Sequence, residues 1–224
     1  MFNVIRSRPA PASLATQSDY KGQDVIDALY SMFNGKCYLC EQTPVSDPEV
    51  EHFLPHNKDP ALKYGWHNLF YACRRCNSIK SNTHTDLLNC TDVSVDVFSE
   101  IVHFAGIAAV DKVIIRPVSA TPSQQTKNTV ELLDKCFNED GTSLRGISRE
   151  SLLENLLEEF SCFMKWRDQL YSRKSTPQKV QEAKAELSLM CTVSYPFSVF
   201  WKWHVLNDIL LQRKFPNIRN ELQF

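Results

Sequence analysis

The sequence predicts an α+β protein in which a small, zinc-stapled unit of two strands and one helix is set within a larger, mostly helical body. Two observations predict the small unit. Two Cys-x-x-Cys pairs bracket an acid, a histidine and an asparagine, and short apolar runs of strand length lie between the pairs. A third observation predicts the body, because apolar residues recur at three- and four-residue spacing through the carboxy-terminal half.

Length and charge limit the classes of function. A chain of 224 residues can bury one ordinary hydrophobic core or two small ones. Its formal net charge of −1 argues against a protein whose main function is non-specific DNA binding, because such proteins are usually basic. Any contact with nucleic acid is therefore expected to use a local basic patch or to need a partner. No export signal and no run of roughly 20 apolar residues is present, so we expect a cytoplasmic protein with reduced cysteines and no membrane contact.

The chain is expected to divide into three segments. Residues 1 to 34 hold an amino-terminal arm, rich in Pro, Ala and Ser up to residue 18, which either packs on the body or is disordered, and a helix over residues 19 to 33. That helix ends at Asn34-Gly35, a typical helix stop. The zinc-stapled unit is expected over residues 35 to 90, and the helical body over residues 91 to 224.

Within the zinc-stapled unit the elements follow one another closely. Residues 49 to 54 and 68 to 72 are strand candidates, and Asp59-Pro60 begins a turn or short helix between them. Residues 74 to 81 are expected to form a short helix. Strand, loop, strand and helix is the order of a ββα-metal unit.

The body is predicted to be helical after a short region of mixed character. Residues 112 to 118 alternate in part as a strand does, and residues 93 to 98 fit either a strand or a helix. Residues 119 to 126 are expected to form a loop and residues 129 to 137 a helix. Further helices are predicted after the N-cap Ser148, at Thr176-Pro177 and after Tyr195-Pro196.

The two cysteine pairs predict a structural zinc site with the ligands Cys37, Cys40, Cys73 and Cys76. Each pair lets two thiolates reach one ion from a tight turn, and four thiolates leave no open coordination position. Zinc binding contributes about 10–16 kcal/mol to folding in small domains, which a unit this short needs. The other four cysteines, with a disulfide framework as the alternative, are expected to be small buried hydrophobic residues: Cys90, Cys136, Cys162 and Cys191.

The polar residues between the cysteine pairs point to phosphodiester hydrolysis. This reaction needs a base to activate water and a cation to neutralise charge on the phosphate. His52 suits the base, and a carboxylate such as Glu51, with an amide oxygen, suits a hard cation such as Mg²⁺. On a strand, however, Glu51 and His52 point to opposite faces, so they can share a site only if the strand twists or ends there.

Residues 37 to 80 resemble the HNH endonuclease family. The matching residues are Glu51-His52-Phe53-Leu54-Pro55, Asn68-Leu69 and Cys73-Arg74-Arg75-Cys76-Asn77. The resemblance implies that His52 is the general base and that Glu51 and Asn77 ligate a catalytic Mg²⁺, with Mn²⁺ as the alternative. It also implies that Asn68 fixes a loop through backbone hydrogen bonds. The chain departs from the family's usual pattern by having Glu51 in place of Asp and Asn77 in place of His.

Four side chains are candidate nucleic-acid contacts: Arg74, Arg75, Lys80 and His56. The three cations lie on the predicted helix over residues 74 to 81, whose amino end also attracts phosphate. The alternatives are a solvated helix face for the cations and an ordinary surface histidine for His56.

The outer segments are similar to the retron- and Septu-associated HNH proteins. The similarity lies in Ile5-Arg6-Ser7-Arg8-Pro9, in the helix over residues 20 to 33, and in Thr129 to Leu133 followed by Asn138. It implies a bacterial antiphage effector that acts beside a separate ATPase of the ABC/SMC type. The implied target is nucleic acid, and DNA is favoured over RNA. The alternatives are a zinc-ribbon module that binds nucleic acid or protein without cutting it, and a sequence-specific restriction or homing enzyme.

Overall fold

The structure, a computed structural model, describes residues 1–106, 112–140, 148–222 and 224. These residues form a helix-rich α+β fold with two small antiparallel sheets, each of two strands, which confirms the predicted class. The strands are β1 (Pro48–His52), β2 (Leu69–Cys73), β3 (Ile101–Phe104) and β4 (Ile114–Pro117). The helices are α1 (Gln23–Met32), α2 (Pro60–Lys63), α3 (Arg74–Lys80), α4 (Val97–Glu100), α5 (Gln124–Asn138), α6 (Arg149–Tyr171), α7 (Pro177–Met190), α8 (Ser198–Asn207), α9 (Ile209–Lys214) and α10 (Ile218–Glu221).

The first sheet pairs β1 with β2, and α3 follows β2 directly. The register sets Glu51 opposite Phe70 and His52 opposite Leu69. Every residue of β2 is buried, whereas β1 is exposed at its start and buried further along. The two strands and the helix lie close to the bounds that the sequence predicted. The sequence could predict them because cysteines and prolines delimit the short segments, and β2 is rich in apolar and aromatic residues.

Helix α1 ends where the sequence predicted, although it begins later, at Gln23. Its buried face consists of Val25 and Leu29, and Phe33 is buried just beyond it. Gly35 adopts a φ of +65°, and a Cβ at this position would lie 2.9 Å from the ring of Tyr30. The glycine therefore allows the chain to leave the helix and enter the first cysteine pair.

The amino-terminal arm packs on the protein, which decides between the two alternatives for it. Phe2 and Val4 are buried, and the Val4 amide donates to the Cys90 carbonyl at 2.9 Å. The Arg6 guanidinium donates to the carbonyls of Trp66 and Leu69 at 2.7 and 2.8 Å. These contacts tie the arm to the segment that leads into β2.

The second sheet differs from the prediction. Over residues 93 to 98 the structure has only the beginning of α4, and β3 follows at Ile101–Phe104. The strand was missed because its residues Ile-Val-His-Phe lack the alternation of a half-buried strand, and three of the four are buried. Helix α5 begins at Gln124, inside the predicted loop, because the Ser123 side chain accepts a hydrogen bond from the Thr126 amide at 3.0 Å.

The helical body follows the predicted capping residues. Ser148 caps α6 by accepting from the Ser151 amide at 3.2 Å, and Thr176 caps α7 by accepting from the Lys179 amide at 3.3 Å. The long helices α6 and α7 pack on each other. Their buried residues are Leu152, Leu153, Leu156, Phe163 and Leu170 on α6, and Ala183, Leu187 and Met190 on α7. Among the residues that the structure describes, no helix combines the length and apolar character needed to span a membrane.

Buried polar contacts join the helical region after residue 90 to the segment that holds the four paired cysteines. Lys36, whose side chain is inaccessible to solvent, contacts Glu41 at 3.0 Å and donates to the Tyr195 carbonyl at 2.8 Å. The Arg75 guanidinium donates to the Cys136 carbonyl on α5 at 3.1 Å. The unit is therefore fixed on the body through its first cysteine pair and through α3.

The scattered cysteines are buried, with one exception. Cys90, Cys136 and Cys191 are buried as predicted, but Cys162 is exposed. Cys162 directly precedes the buried Phe163 on α6 and lies on the solvent side of that helix. The prediction was wrong for Cys162 because it followed the apolar character of the segment and not its helical periodicity.

Candidate active site and structural metal centre

The four paired cysteines form one buried cluster. Cys37 and Cys40 come from the turn after α1, Cys73 ends β2, and Cys76 lies in the first turn of α3. Their sulfur atoms all lie within 4.8 Å of one another, and the Cys40 and Cys73 sulfurs are 3.9 Å apart. A tetrahedral zinc ion with bonds of about 2.3 Å places its sulfur ligands about 3.8 Å apart. Donor type, number and spacing therefore fit a zinc ion.

A cavity of about 190 Å³ opens beside this cluster, at the end of β1. Its lining includes Glu51, His52, His56 and Asn77. Adjacent residues within a strand point to opposite faces, but β1 ends at His52, so Glu51 and His52 can face one cavity. The fold thus brings together the acid, the histidine and the amide that the sequence proposed as one site.

His52 is held by a backbone carbonyl. Its Nε2 atom lies 3.0 Å from the Lys63 carbonyl oxygen at the end of α2. A carbonyl can only accept a hydrogen bond, so Nε2 carries the proton and Nδ1 keeps its lone pair. Burial lowers the pKa of His52 below its ordinary value, although the Lys63 carbonyl opposes this effect. The imidazole is therefore mainly neutral near pH 7, with Nδ1 able to accept a proton.

Two rings flank the imidazole of His52. The Tyr20 ring lies edge-on with its centroid 4.7 Å away, and the His56 ring is tilted at the same distance. His56 is partly exposed, and its Nδ1 accepts a hydrogen bond from the Lys58 amide at 3.1 Å. The two rings restrict rotation of His52, and His56 itself lines the cavity.

Glu51 is a buried acid with a buried cation beside it. Its Oε1 atom lies 2.5 Å from Lys80 Nζ, and the two side chains are 8% and 0% exposed. Burial raises the pKa of Glu51 to about 7, and the nearby Lys80 ammonium works against that rise. Lys80 Nζ also donates to the His52 carbonyl at 2.9 Å. One lysine of α3 therefore holds the end of β1 at two points.

Glu51 and Asn77 are suitable ligands for a hard divalent cation. A carboxylate has two oxygens with about four lone-pair positions, so the contact with Lys80 leaves acceptor capacity on Glu51. Asn77 follows Cys76, one of the four clustered cysteines, on α3 and lines the same cavity. Carboxylate and amide oxygens are ligands that Mg²⁺ accepts together with water and phosphate oxygens.

Asn68 lies behind the cavity and fixes two backbone segments. Its Oδ1 accepts from the Leu54 amide at 2.7 Å, while its Nδ2 donates to the Leu54 and Leu62 carbonyls, both at 2.9 Å. The side chain is buried and thereby joins the loop after β1 to helix α2. This arrangement agrees with the positioning role that the family resemblance implies for Asn68.

The three cations of α3 do not form a common exposed face, because Arg75 and Lys80 are buried. For these two residues, both the predicted phosphate contact and its alternative, a solvated helix face, were wrong. Arg74 is 55% exposed and pairs with Asp47 at 3.3 Å. Arg75 is buried against α5, where its guanidinium also donates to the Glu139 carbonyl at 2.7 Å, and Lys80 is buried against Glu51. Both side chains are therefore withdrawn from phosphate, because α3 packs between β1 and α5 and leaves only part of its surface to solvent.

The cavity also contains residues that sequence reasoning missed. Tyr20 and Lys21 reach it from just before α1, and Ser81 and Asn82 reach it from just after α3. Ser81 and Asn82 follow the motif directly, so their adjacency to Asn77 and Lys80 was a usable signal. Tyr20 and Lys21 carry no such signal, because only the docking of α1 brings them to the site.

Comparison with known proteins gives partial matches. No model of a known protein family matches the chain. Septu protein PtuB of Bacillus thuringiensis is 45% identical over 60 residues, which are 25% of this chain and 23% of that protein. Septu protein PtuB of Bacillus mycoides (strain KBAB4) is 36% identical over 73 residues, 26% of this chain and 25% of that protein. The similarity thus spans about a quarter of the length of each relative.

Proposed function

We propose that the chain is a metal-dependent HNH endonuclease that hydrolyses phosphodiester bonds in nucleic acid. The observation that carries the proposal is the orientation of His52. The Lys63 carbonyl fixes its protonated Nε2, which leaves Nδ1 as a base in the cavity that Glu51 and Asn77 also line. A zinc-binding module that only bound a partner would not need an oriented imidazole beside a buried acid.

The chemical roles follow from these positions. His52 accepts a proton from water through Nδ1, and the resulting hydroxide attacks phosphorus. The P–O3′ bond breaks, and the leaving 3′ oxygen takes a proton from solvent water, so that the products are a 5′-phosphate and a 3′-hydroxyl, as family precedent implies. Glu51 and Asn77 would hold Mg²⁺, or Mn²⁺, which supplies charge neutralisation at the phosphate and the leaving oxygen. The flanking rings of Tyr20 and His56 keep the base aligned.

We further propose that the nuclease acts in antiphage defence of the Septu type, beside an ATPase. The similarity to two Septu proteins supports this proposal over a quarter of the chain, and the resemblance of the outer segments supports the ATPase partner. A net charge of −1 is consistent with a nuclease that reaches nucleic acid with help from a partner. The helical body is the candidate docking region, and DNA is the first candidate target.

The experiment compares wild type with His52→Ala in complex with the neighbouring ATPase, on plasmid DNA and on total RNA. Cleavage by wild type in Mg²⁺ should fall by about 10²- to 10⁴-fold in the variant, which is the usual contribution of a general base. The zinc content should be equal in both proteins, because His52 is not a member of the cysteine cluster.

His67→Ala is the matched control, because His67 is exposed and directly precedes Asn68. This variant should cut like wild type. Equal cleavage by wild type and His52→Ala would contradict the proposal. Nucleic-acid binding without cleavage by wild type would favour the zinc-ribbon module.

A further inference from the structure

We propose that Lys21 and Lys63, with Tyr20 between them, form a phosphate-binding wall that seats the nucleic-acid backbone against His52. We call these three residues the lysine wall. The inference rests on the proposed nuclease function and deepens it, because it assigns substrate contacts to residues outside the motif. The ligand is the phosphodiester backbone, so the contact is independent of base sequence.

The geometry places two ammonium groups around one ring. Lys21 Nζ and Lys63 Nζ each lie 5.8 Å from the centroid of Tyr20. The Tyr20 ring itself is in edge contact with His52. A phosphate attacked by water on His52 must lie within a few ångströms of that ring, and the adjoining phosphates of the strand then pass the mouth of the cavity. Tyr20 and Lys21 line that mouth.

The cations of α3 cannot take this role in the described arrangement. Arg75 and Lys80 are buried, and Arg74 is not one of the described residues that line the cavity. Lys21, in contrast, is 50% exposed at the rim of the cavity. Lys63 is partly buried, with its Nζ 5.0 Å from the ring of Tyr64. Lys21 and Lys63 therefore bring positive charge to the Tyr20 side of the cavity, one from before α1 and the other from α2.

Glu49 gives the inference a distinctive test. Its Oε2 atom lies 3.2 Å from Lys21 Nζ, and the side chain is 27% exposed and lines the same cavity. Such a solvent-exposed ion pair is weak, so an incoming phosphate can displace the carboxylate. If Lys21 binds phosphate, Glu49 competes with the substrate. If Lys21 serves only to hold the segment before α1 through its ion pair with Glu49, then loss of either side chain should have the same effect on binding.

The experiment measures binding apart from cleavage. The full-length His52→Ala protein, without divalent cation, is titrated by fluorescence anisotropy into a short labelled DNA duplex, its single strand and an RNA of the same sequence. Adding Lys21→Gln and Lys63→Gln together should weaken binding at least about tenfold near 0.1 M salt and reduce the slope of log K against log salt by about 2 on a duplex. Adding Glu49→Gln should instead tighten binding severalfold.

Three controls keep the result specific. Lys21→Arg with Lys63→Arg should bind like the parent, because both charges are kept. Lys127→Gln removes an exposed lysine on α5 and should have no effect. Zinc content and melting temperature should be the same in all variants.

Parent-like binding by the double glutamine variant would overturn the lysine wall and leave the nuclease proposal standing, provided that wild type cuts. Weaker binding by the Glu49→Gln variant would also overturn the lysine wall, because loss of Glu49 would then have the same effect on binding as loss of Lys21. A parent that binds none of the three ligands, together with a wild type that cuts none, would overturn both proposals.

Discussion

Lys80 fixes the acid of the candidate site. Its ammonium contacts Glu51 and the His52 carbonyl, and its side chain is inaccessible to solvent. Removing one member of such a buried pair leaves the other charge without compensation. We therefore expect Lys80→Met to lower the free energy of unfolding by about 3 kcal/mol, measured by chemical denaturation of the zinc-loaded protein.

Arg74→Met is the matched control on the same helix. The Arg74–Asp47 pair is exposed on both sides, so its loss should cost less than about 1 kcal/mol. If Lys80→Met proved as mild as Arg74→Met, the Glu51–Lys80 pair would not stabilise the end of β1.

At the residue scale, the sequence predicted which side chains lie close together better than it predicted which side chains are exposed. The cysteine spacing and the Glu51-His52 pair identified residues that the fold brings to one place, because a motif fixes residue type and local order. The burial of Arg75 could not be predicted in this way. Its partner is a carbonyl on α5, far along the chain, and no local pattern encodes that contact.

At the scale of elements, the cluster of four cysteines joins the turn after α1 to the end of β2 and the start of α3. Cys40→Ala should therefore abolish stoichiometric zinc binding and expose residues 37 to 80 to rapid hydrogen exchange. The binding free energy of structural zinc, about 10–16 kcal/mol in small domains, is as large as the whole stability of a typical protein. Zinc content and hydrogen exchange followed by mass spectrometry measure the two effects.

Cys191→Ala is the control, because Cys191 is equally buried but lies outside the cluster. It should keep one zinc ion per chain and normal exchange in residues 37 to 80. Full zinc occupancy in Cys40→Ala would contradict a four-cysteine site.

The elements with clear terminal signals were the predictable ones. Helices α6 and α7 begin at Ser148 and Thr176, which cap them as expected. Strand β3 has no such signal, since its identity depends on pairing with β4, with Ile101 opposite Pro117. Strand pairing and helix docking depend on residues that are far apart in the sequence, so local sequence patterns cannot predict them.

At the scale of the whole molecule, buried imidazoles should make the protein sensitive to acid. His204 packs among aromatic rings, and its Nε2 accepts from the Ala105 amide at 3.2 Å. Burial lowers the pKa of His204 from 6.5 to about 4, with Asp208 opposing this effect. Between these two values the unfolded chain binds more protons than the folded one, so stability falls as the pH falls.

The loss from His204 alone should reach about 3 kcal/mol by pH 4, with no contribution above its unfolded pKa. His204→Gln keeps an acceptor and removes the titration, so its free energy of unfolding should fall less steeply between pH 6.5 and 4. Burial also lowers the pKa of His103 to about 3, so the stability of the variant still falls in acid. The two proteins are therefore compared by how steeply the free energy of unfolding falls with pH. An equal slope in His204→Gln would contradict the assignment, and His67→Gln, an exposed control, should keep the wild-type slope.

The contact between Lys63 and His52 has a consequence for how the site tolerates mutation. The group that orients the base is a main-chain carbonyl, which every amino acid supplies, whereas the ammonium of the same residue faces Tyr20. Every substitution at position 63 therefore keeps the carbonyl that selects the tautomer of His52, while it changes the side chain that faces Tyr20. In the proposed nuclease, variants at position 63 should therefore differ in their affinity for nucleic acid more than in their rate of cleavage.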